Sequence, residues 1–255
     1  FPDSDIVLRP IDTLMYLNLH QGVTHSLLML PFWAWVLAHV FAMFDRNVFG
    51  WRGYYGVCAL GIGAHIAGDF ITNYGVMLFA PLSAWRVSVP TTFLIDVYFS
   101  TIIIIGLLAS WRWRDSRRPA VIATSVLLGY VAFQTVLRQQ ALEIGLAYSR
   151  DNNLSSAKVQ ALAQPLSPLN WKLIVSADDI HHVAQVNLLR TGIDAAPPAD
   201  AGLLRVMAAS YHSPDGLVWA RHVRLGGNPS ESNLVRAAWE DEALAAQLAA
   251  AFEKD

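Results

Sequence analysis

Leu19-His20-Gln21-Gly22-Val23-Thr24-His25-Ser26 opens an apolar stretch that continues to Phe44. A bilayer core about 30 Å thick requires roughly 20 apolar residues in helical form, and the residues from Val23 to Phe44 satisfy that length. The stretch therefore predicts a membrane-spanning helix with two histidines and two hydroxyl groups at its start. Polar groups at such a position are candidates for a functional site on one face of the membrane.

The amino-acid composition also indicates a membrane protein. The 255 residues are 54% hydrophobic and 15% charged, with a mean hydropathy of +0.36, which is apolar for a soluble protein of this size. The net charge of -2 gives no sign of a nucleic-acid partner. Cys58 is the single cysteine, which excludes an intrachain disulfide and a cysteine-based zinc site.

Four apolar segments are long enough to cross a bilayer as helices. They cover approximately 23–44, 54–79, 92–110 and 119–148. Pro31 is expected to kink the first, and the glycines and alanines of the second predict close approach of helix backbones. The predicted fold is mainly α: a multi-pass transmembrane bundle of about four helices in residues 1–148, a linker over 149–168, and a small α+β extramembrane domain over 169–255.

The C-terminal part of the chain has the patterns of that small domain. Apolar and polar residues alternate over 171–176 and again over 182–188, on either side of a turn, which predicts a β-hairpin. The other expected elements are a helix over 201–211, a strand or short helix over 217–224, and a helix over 231–253.

The positive charges in the loops predict the orientation in the membrane. Arg46 and Arg52 follow the first predicted helix and four arginines between residues 112 and 118 follow the third, whereas Arg86 is the only cation between the second and third. Loops rich in Lys and Arg stay in the cytoplasm. Four crossings then place the N-terminal residues, the 80–91 loop and the C-terminal domain on the outer face of the inner or plasma membrane.

His65 and Asp69 lie four residues apart in the second predicted helix, and therefore on one face about one turn apart. Ionisable side chains in a membrane helix are costly and usually face a cavity, an ion or a partner. Both side chains can reach one metal ion. The alternative is a His–Asp hydrogen bond that stabilises helix packing.

Four further residues are expected on the same membrane face as Asp69. His20 and His25 precede or open the first predicted helix, where Thr24 and Ser26 can cap the helix or fix a ring orientation. Asp3 and Asp5 have alternate spacing and point the same way in an extended segment, although they could also be solvated chain ends. Imidazole and carboxylate ligands suit zinc, with manganese or iron as alternatives. The predicted ligands of one or two divalent metals are Asp3, Asp5, His20, His25, His65 and Asp69.

The predicted catalytic residues are His25, Asp69 and Asp96. Asp96 stands at the outer start of the third predicted helix, where it is a further ligand or a general base, with a helix cap as the alternative. A metal at this face would lower the pKa of a bound water and polarise a phosphoryl or acyl oxygen, which is the chemistry of metal-assisted hydrolysis.

Three motifs follow one another in the N-terminal part of the chain. They are Phe1-Pro2-Asp3-Ser4-Asp5, His20-Gln21-Gly22-Val23-Thr24-His25-Ser26, and His65-Ile66-Ala67-Gly68-Asp69 followed by Thr72-Asn73-Tyr74-Gly75. Together they resemble the YdjM-like inner-membrane family, described as membrane-bound metal-dependent hydrolases, and the resemblance covers residues 1–82. Gln21 stands where the family pattern has arginine, which removes a cation able to hold a phosphate. The family also has an upstream membrane segment, so we expect this sequence to be a fragment of a longer chain.

Two other classes of function remain open. An ion- or proton-coupled transporter also carries His and Asp in membrane helices, but the cytoplasmic halves have few ionisable groups and no inverted repeat is visible. Alternatively, the C-terminal domain is a binding module on a membrane anchor whose histidines are structural. The favoured function is a metal-dependent hydrolase of an ester or phosphoester, on a lipid or another small molecule, near the outer headgroup level of the lipid bilayer.

Overall fold

The structure, a computed structural model, describes residues 2–8, 10, 16, 19–45, 48–154, 156–192, 202–224, 233 and 237. Within these ranges the helices are α1 (Leu30–Phe44), α2 (Gly50–Phe70), α3 (Val97–Arg112), α4 (Arg118–Asp151) and α5 (Leu203–Ala209), with 3-10 turns at Pro2–Leu8, Val23–His25 and Pro214–Gly216. The strands are β1 (Lys158–Ala163), β2 (Asn170–Ala177), β3 (Ile180–Asn187) and β4 (Ala220–Val223). One compact unit contains the described residues up to Val89, and a second runs from Pro90 to Ser232.

Among the described helices, α4 alone is long and apolar enough to cross a membrane by length and composition. Helices α1 and α3 are apolar but have 15 and 16 residues. Helix α2 has 21 residues, which include six glycines as well as His65 and Asp69. The combination of long helices with a small sheet agrees with the expected mainly α chain, whereas the multi-pass bundle of about four spanning helices is not confirmed.

The first predicted span, 23–44, is helical only from Leu30. Val23–His25 forms a 3-10 turn, and Ser26 after it has an extended backbone. The Ser26 hydroxyl donates to the carbonyl oxygen of Ala80 at 2.6 Å and accepts from the Leu28 N–H at 3.1 Å, so it joins a distant loop to the turn that precedes α1. Pro31 lies in the first turn of α1, where its missing N–H has no helical partner to lose. The expected kink at Pro31 is therefore wrong.

Helix α2, which covers Gly50–Phe70, begins four residues before the second predicted span of 54–79 begins and ends nine residues before that span ends. Beyond it, the Thr72 hydroxyl donates to the carbonyl of Asp69 at 2.8 Å and closes the helix end. Residues 71–89 form a loop that bonds back to the start of the chain. In that loop the Met77 N–H donates to the carbonyl of Gln21 at 3.0 Å. This loop holds the His20–Ser26 segment against the end of α2.

Alanines of α1, rather than glycines of α2, bring these two helices together. The buried face of α1 consists of Ala34, Ala38 and Ala42, and that of α2 of Cys58, Ile62 and Ile66. The expected close packing at Gly56, Gly61 and Gly68 is not seen among the described residues, where a Cβ added at these positions would meet no atom within 4 Å. Much of the glycine-containing face of α2 is therefore left uncovered by the part of the chain that the structure describes.

In the second unit, the later half of α4 packs on the antiparallel sheet, whose strand order is β1-β2-β3-β4. The core between them is apolar; it includes Leu137, Ala141, Trp171, Leu173 and Val186. Gly145 of α4 allows the helix to approach strand β1 closely, since a Cβ at this position would lie 2.6 Å from a methyl group of Val159. The end of α4 is thus the support on which the small domain is built.

The predicted β-hairpin is confirmed as β2 and β3, with Ala177 paired to Ile180 at the turn. The helix expected over 201–211 is confirmed as α5, and the segment 217–224 contains strand β4. Strand β1 lies inside 149–168, which the sequence assigns to a linker; its alternating positions carry small alanines and give little apolar signal. The helix expected over 231–253 lies outside the described residues, apart from positions 233 and 237.

Candidate metal centre

His65 and Asp69 project from one face of α2 near its C-terminal end, as their spacing predicts. His65 Nε2 lies 3.3 Å from Asp69 Oδ2. The Asp69 side chain is 16% exposed and the His65 side chain 33%, so the pair lies partly inside the protein. This contact alone is consistent with a metal site and with the structural hydrogen bond that the sequence also allows, so the surrounding side chains are described next.

His25 approaches the same two side chains from the turn Val23–His25. Its side chain is completely buried, with Nε2 3.2 Å from His65 Nε2 and 3.1 Å from Asp69 Oδ2. On the other side of the ring, Nδ1 lies 3.0 Å from the Thr24 hydroxyl. An imidazole that donates from Nδ1 to Thr24 directs its Nε2 lone pair at the other side chains. Thr24 therefore fixes the ring orientation, one of the two roles that the sequence suggests for it.

Asp3 supplies a fourth side chain from the turn Pro2–Leu8. Its Oδ1 lies 3.4 Å from His25 Nε2, and its Oδ2 lies 3.4 Å from His65 Nε2. The Asp3 side chain is 57% exposed, unlike that of His25. Asp3 thus completes the group from its solvent side.

Four side chains form a group that could hold a metal ion, because their ligand atoms all lie within 4.8 Å of one another. We call this group, which consists of Asp3, His25, His65 and Asp69, the metal cluster. A tetrahedral site with bonds of about 2.1 Å separates neighbouring ligand atoms by about 3.4 Å. The five separations given above lie between 3.1 and 3.4 Å.

The carboxylate of Asp69 gives an independent reason to expect a cation. Its Oδ2 atom is buried and, within the described part of the chain, accepts no hydrogen bond of good geometry although two ring nitrogens are near. A buried carboxylate oxygen without a donor is costly unless a cation meets it. The donor set of two imidazoles and two carboxylates suits zinc, manganese or iron, and fits the predicted chemistry.

The other two predicted ligands, Asp5 and His20, pair with each other beside the metal cluster. His20 Nδ1 lies 3.1 and 3.2 Å from the two carboxylate oxygens of Asp5, which is buried. The His20 ring stands edge-on to that of His25, with the ring centroids 6.0 Å apart. The structure therefore divides the six predicted ligands into a group of four and an adjacent His–Asp pair.

Arg86 is a functional candidate that sequence patterns do not single out. Its guanidinium donates to the carbonyl oxygens of His20 at 2.8 Å and Gly75 at 3.1 Å, and it stacks on the Tyr74 ring. Burial lowers the pKa of Arg86, but arginine stays protonated at neutral pH. A cation is thus fixed next to Gln21, the position at which the family pattern has arginine. The only sequence signal for it is the absence of other cations from the 80–91 loop.

Asp96 lies in the second unit and caps α3. Its Oδ1 accepts from the Phe99 N–H at 2.9 Å, and its Oδ2 accepts from the Tyr130 hydroxyl at 2.7 Å. The helix-cap alternative is therefore confirmed. A catalytic role for Asp96 stays a prediction.

Gly22 is required by the turn that presents His25, and its replacement is expected to disturb the metal cluster. A Cβ at Gly22 would lie 2.6 Å from the carbonyl oxygen of Leu19, so the backbone must shift. We expect Gly22→Ala to weaken zinc binding at least about tenfold, as for an outer-shell change, in a competition titration against a chelating dye. Gly63→Ala is the matched control, since its Cβ meets only a methyl group of Leu30 at 3.6 Å. Equal zinc affinity in the two variants would contradict the role of Gly22.

Comparison with known proteins gives one family match. Residues 1–141 match the family model described as the YdjM inner membrane protein. The matched range contains all six predicted ligands, Arg86 and Asp96. No curated protein and no solved structure matches the chain.

Proposed function

This chain belongs to the YdjM inner membrane protein family, and on that premise we propose that it is a metal-dependent hydrolase whose metal is held by Asp3, His25, His65 and Asp69. The observation that supports it most strongly is the convergence of four ligand groups around the buried Oδ2 of Asp69, which accepts no hydrogen bond of good geometry within the described residues. Zinc is the proposed metal, with manganese and iron as alternatives. The proposed substrate is an ester or phosphoester at the headgroup level of the inner membrane.

The four residues of the metal cluster have different surroundings and hence different parts in the proposed reaction. When bound, a divalent metal polarises an ester or phosphoryl oxygen and lowers the pKa of a water. His25 and Asp69 form the buried side of the site, while Asp3 and His65 border the side from which a substrate can approach. Hydrolysis leaves the hydroxyl of water on the acid product and a proton on the alcohol that departs.

The His20–Asp5 pair is suited to move that proton. Asp5 faces Nδ1 of His20, which fixes the tautomer and leaves Nε2 as the nitrogen that exchanges a proton. A histidine oriented by a carboxylate is the usual general acid–base arrangement, and its ring lies next to that of the ligand His25. We therefore assign His20 to proton transfer and Asp5 to positioning it, in place of the ligand roles that the sequence alone suggests.

We further propose that α1 to α4 all cross the membrane, with the metal cluster on the outer face. At 1.5 Å per residue, α1 and α3 are about 22–24 Å long, and a bilayer accommodates helices of that length by local thinning. Orientation rests on the arginines after the first and third helices. The sheet packed on the later half of α4 supports an exit of that helix from the membrane before it ends.

Cysteine labelling in intact cells tests this orientation. In a Cys58→Ser background, Leu82→Cys is expected to react with an impermeant maleimide added outside spheroplasts, because Leu82 is 84% exposed in the outer loop. Asp115→Cys, in the arginine-rich loop, is expected to react only after lysis. Reaction of Asp115→Cys before lysis, with Leu82→Cys protected, would reverse the proposed topology.

A hydrolysis assay on the zinc-loaded protein tests the reaction class. We expect purified protein to hydrolyse bis(p-nitrophenyl) phosphate or p-nitrophenyl acetate, to lose that activity on chelation, and to regain it on addition of zinc. A transporter would instead show ion flux in proteoliposomes that survives chelation. Flux without metal-dependent hydrolysis would overturn the proposed function.

A further inference from the structure

An apolar groove runs between α1 and α2 and ends at the metal cluster. It has a volume of about 470 Å³, and its lining includes Leu37 and Phe41 from α1 and Val57, Gly61 and Ile62 from α2. His65, a member of the metal cluster, lines the same groove. The wall is almost entirely hydrocarbon, so the groove suits an apolar occupant with a polar group at one end.

The glycine-containing face of α2 keeps this groove open. Within the described ranges a Cβ at Gly61 would meet no atom within 4 Å, so the missing side chain leaves space rather than a packing contact. Val57 is 72% exposed and Phe41 49% exposed although both are apolar. The helices already pack through the alanine face of α1, and the groove is therefore not needed to hold them together.

The dimensions of the groove indicate one kind of occupant. Along α2 it extends from Tyr54 to His65, which is about 16 Å at 1.5 Å per residue. That length is on the order of one leaflet of a bilayer core, which is about 15 Å at full thickness and about 11–12 Å where the core is thinned to the length of α1 and α3. A narrow groove of that length, lined by apolar side chains and ending at His65, suits one hydrocarbon chain that carries a polar linkage at its end.

We propose that the substrate is a membrane phospholipid, with one acyl chain in the α1–α2 groove and its phosphoester or ester linkage at the His65 end. The proposal rests on the proposed hydrolase function and names the substrate class for that site. His65 connects the groove to the metal cluster, because its Nε2 lies beside the carboxylates of Asp3 and Asp69 while its side chain also lines the groove. The hydrocarbon wall holds the acyl chain by van der Waals packing, because within the bilayer no apolar surface is removed from water.

Photo-crosslinking of lipid to the full chain tests this proposal without depending on catalysis. The protein is placed in phosphatidylglycerol vesicles in which a fraction of the lipid carries a diazirine in one acyl chain, and the labelled peptides are mapped by mass spectrometry. We expect label on residues 57–62 to exceed severalfold that on Leu107 and Leu108 of α3, which are also highly exposed and apolar. Gly61→Leu fills the groove and is expected to lower the label on 57–62 to that level.

Gly56→Leu is the matched control, since it lies on the same helix with no atom within 4 Å but outside the groove lining. It is expected to leave the label unchanged, and both variants should keep the zinc content of the wild type. Equal label on residues 57–62 in the wild type and in Gly61→Leu would overturn the lipid proposal. So would wild-type label on 57–62 that does not exceed the label on Leu107 and Leu108 of α3. A wild type that binds no zinc would overturn the hydrolase proposal, and the zinc content is measured separately from the label.

Discussion

Replacement of both His65 and Asp69 by alanine is expected to abolish stoichiometric zinc binding. These residues supply two of the four ligand groups of the metal cluster, and Asp69 contributes the buried carboxylate oxygen at its centre. Loss of a partner outside the ligand shell typically weakens binding 10–100-fold, so loss of two ligands should exceed about 100-fold. Zinc per chain is measured by plasma emission spectrometry after purification and dialysis against dilute zinc.

His39→Ala is the matched control for this double variant. His39 belongs to α1, its Nδ1 lies 2.8 Å from the carbonyl of Trp35, and its ring stacks on Trp51, away from the metal cluster. The His39→Ala variant removes an imidazole from the same unit, and we expect it to retain the full zinc content. Equal zinc in the double variant and the wild type would show that the site is wrong.

His20→Gln is expected to slow hydrolysis about 10²- to 10⁴-fold while zinc stays bound, because general acid–base groups typically contribute that factor. Asp5→Asn keeps the shape of the pair but changes the preferred tautomer of His20. We expect it to lower the rate less than His20→Gln, and to leave the zinc content of the wild type. The measurements are kcat/KM as a function of pH and zinc per chain on the same samples.

The zinc content separates proton transfer from metal ligation in these variants. Loss of zinc in His20→Gln would contradict the assignment and restore His20 as a ligand. An unchanged rate and pH profile with zinc bound would show that the His20–Asp5 pair is structural.

Local spacing was sufficient to predict the part of the site that lies on α2. The separation of four residues fixes His65 and Asp69 on one helix face, whatever the rest of the fold does. The hairpin β2–β3 is predicted for a similar reason, since alternation around a turn determines its register. The membrane face predicted from loop charge adds His25 and Asp3 to this pair, and the family motifs associate the same residues with one metal site.

The division of the six predicted ligands depends on contacts between distant residues and is not visible in the sequence. His25 enters the metal cluster because the chain forms a tight turn at Gly22 and then follows the 71–89 loop instead of continuing α1. Arg86 contacts His20 across 66 positions of sequence. The helix limits near residues 23–30 and 71–79 also depend on that loop, and hydrophobicity alone therefore extends both helices too far.

X-ray absorption spectroscopy of the zinc-loaded wild-type protein tests most directly the claim that Asp3, His25, His65 and Asp69 hold the metal. The account predicts a first shell of nitrogen and oxygen at about 2.0–2.1 Å, with multiple scattering from two imidazoles and no sulfur. A shell without imidazole, or one with three imidazoles, would contradict it.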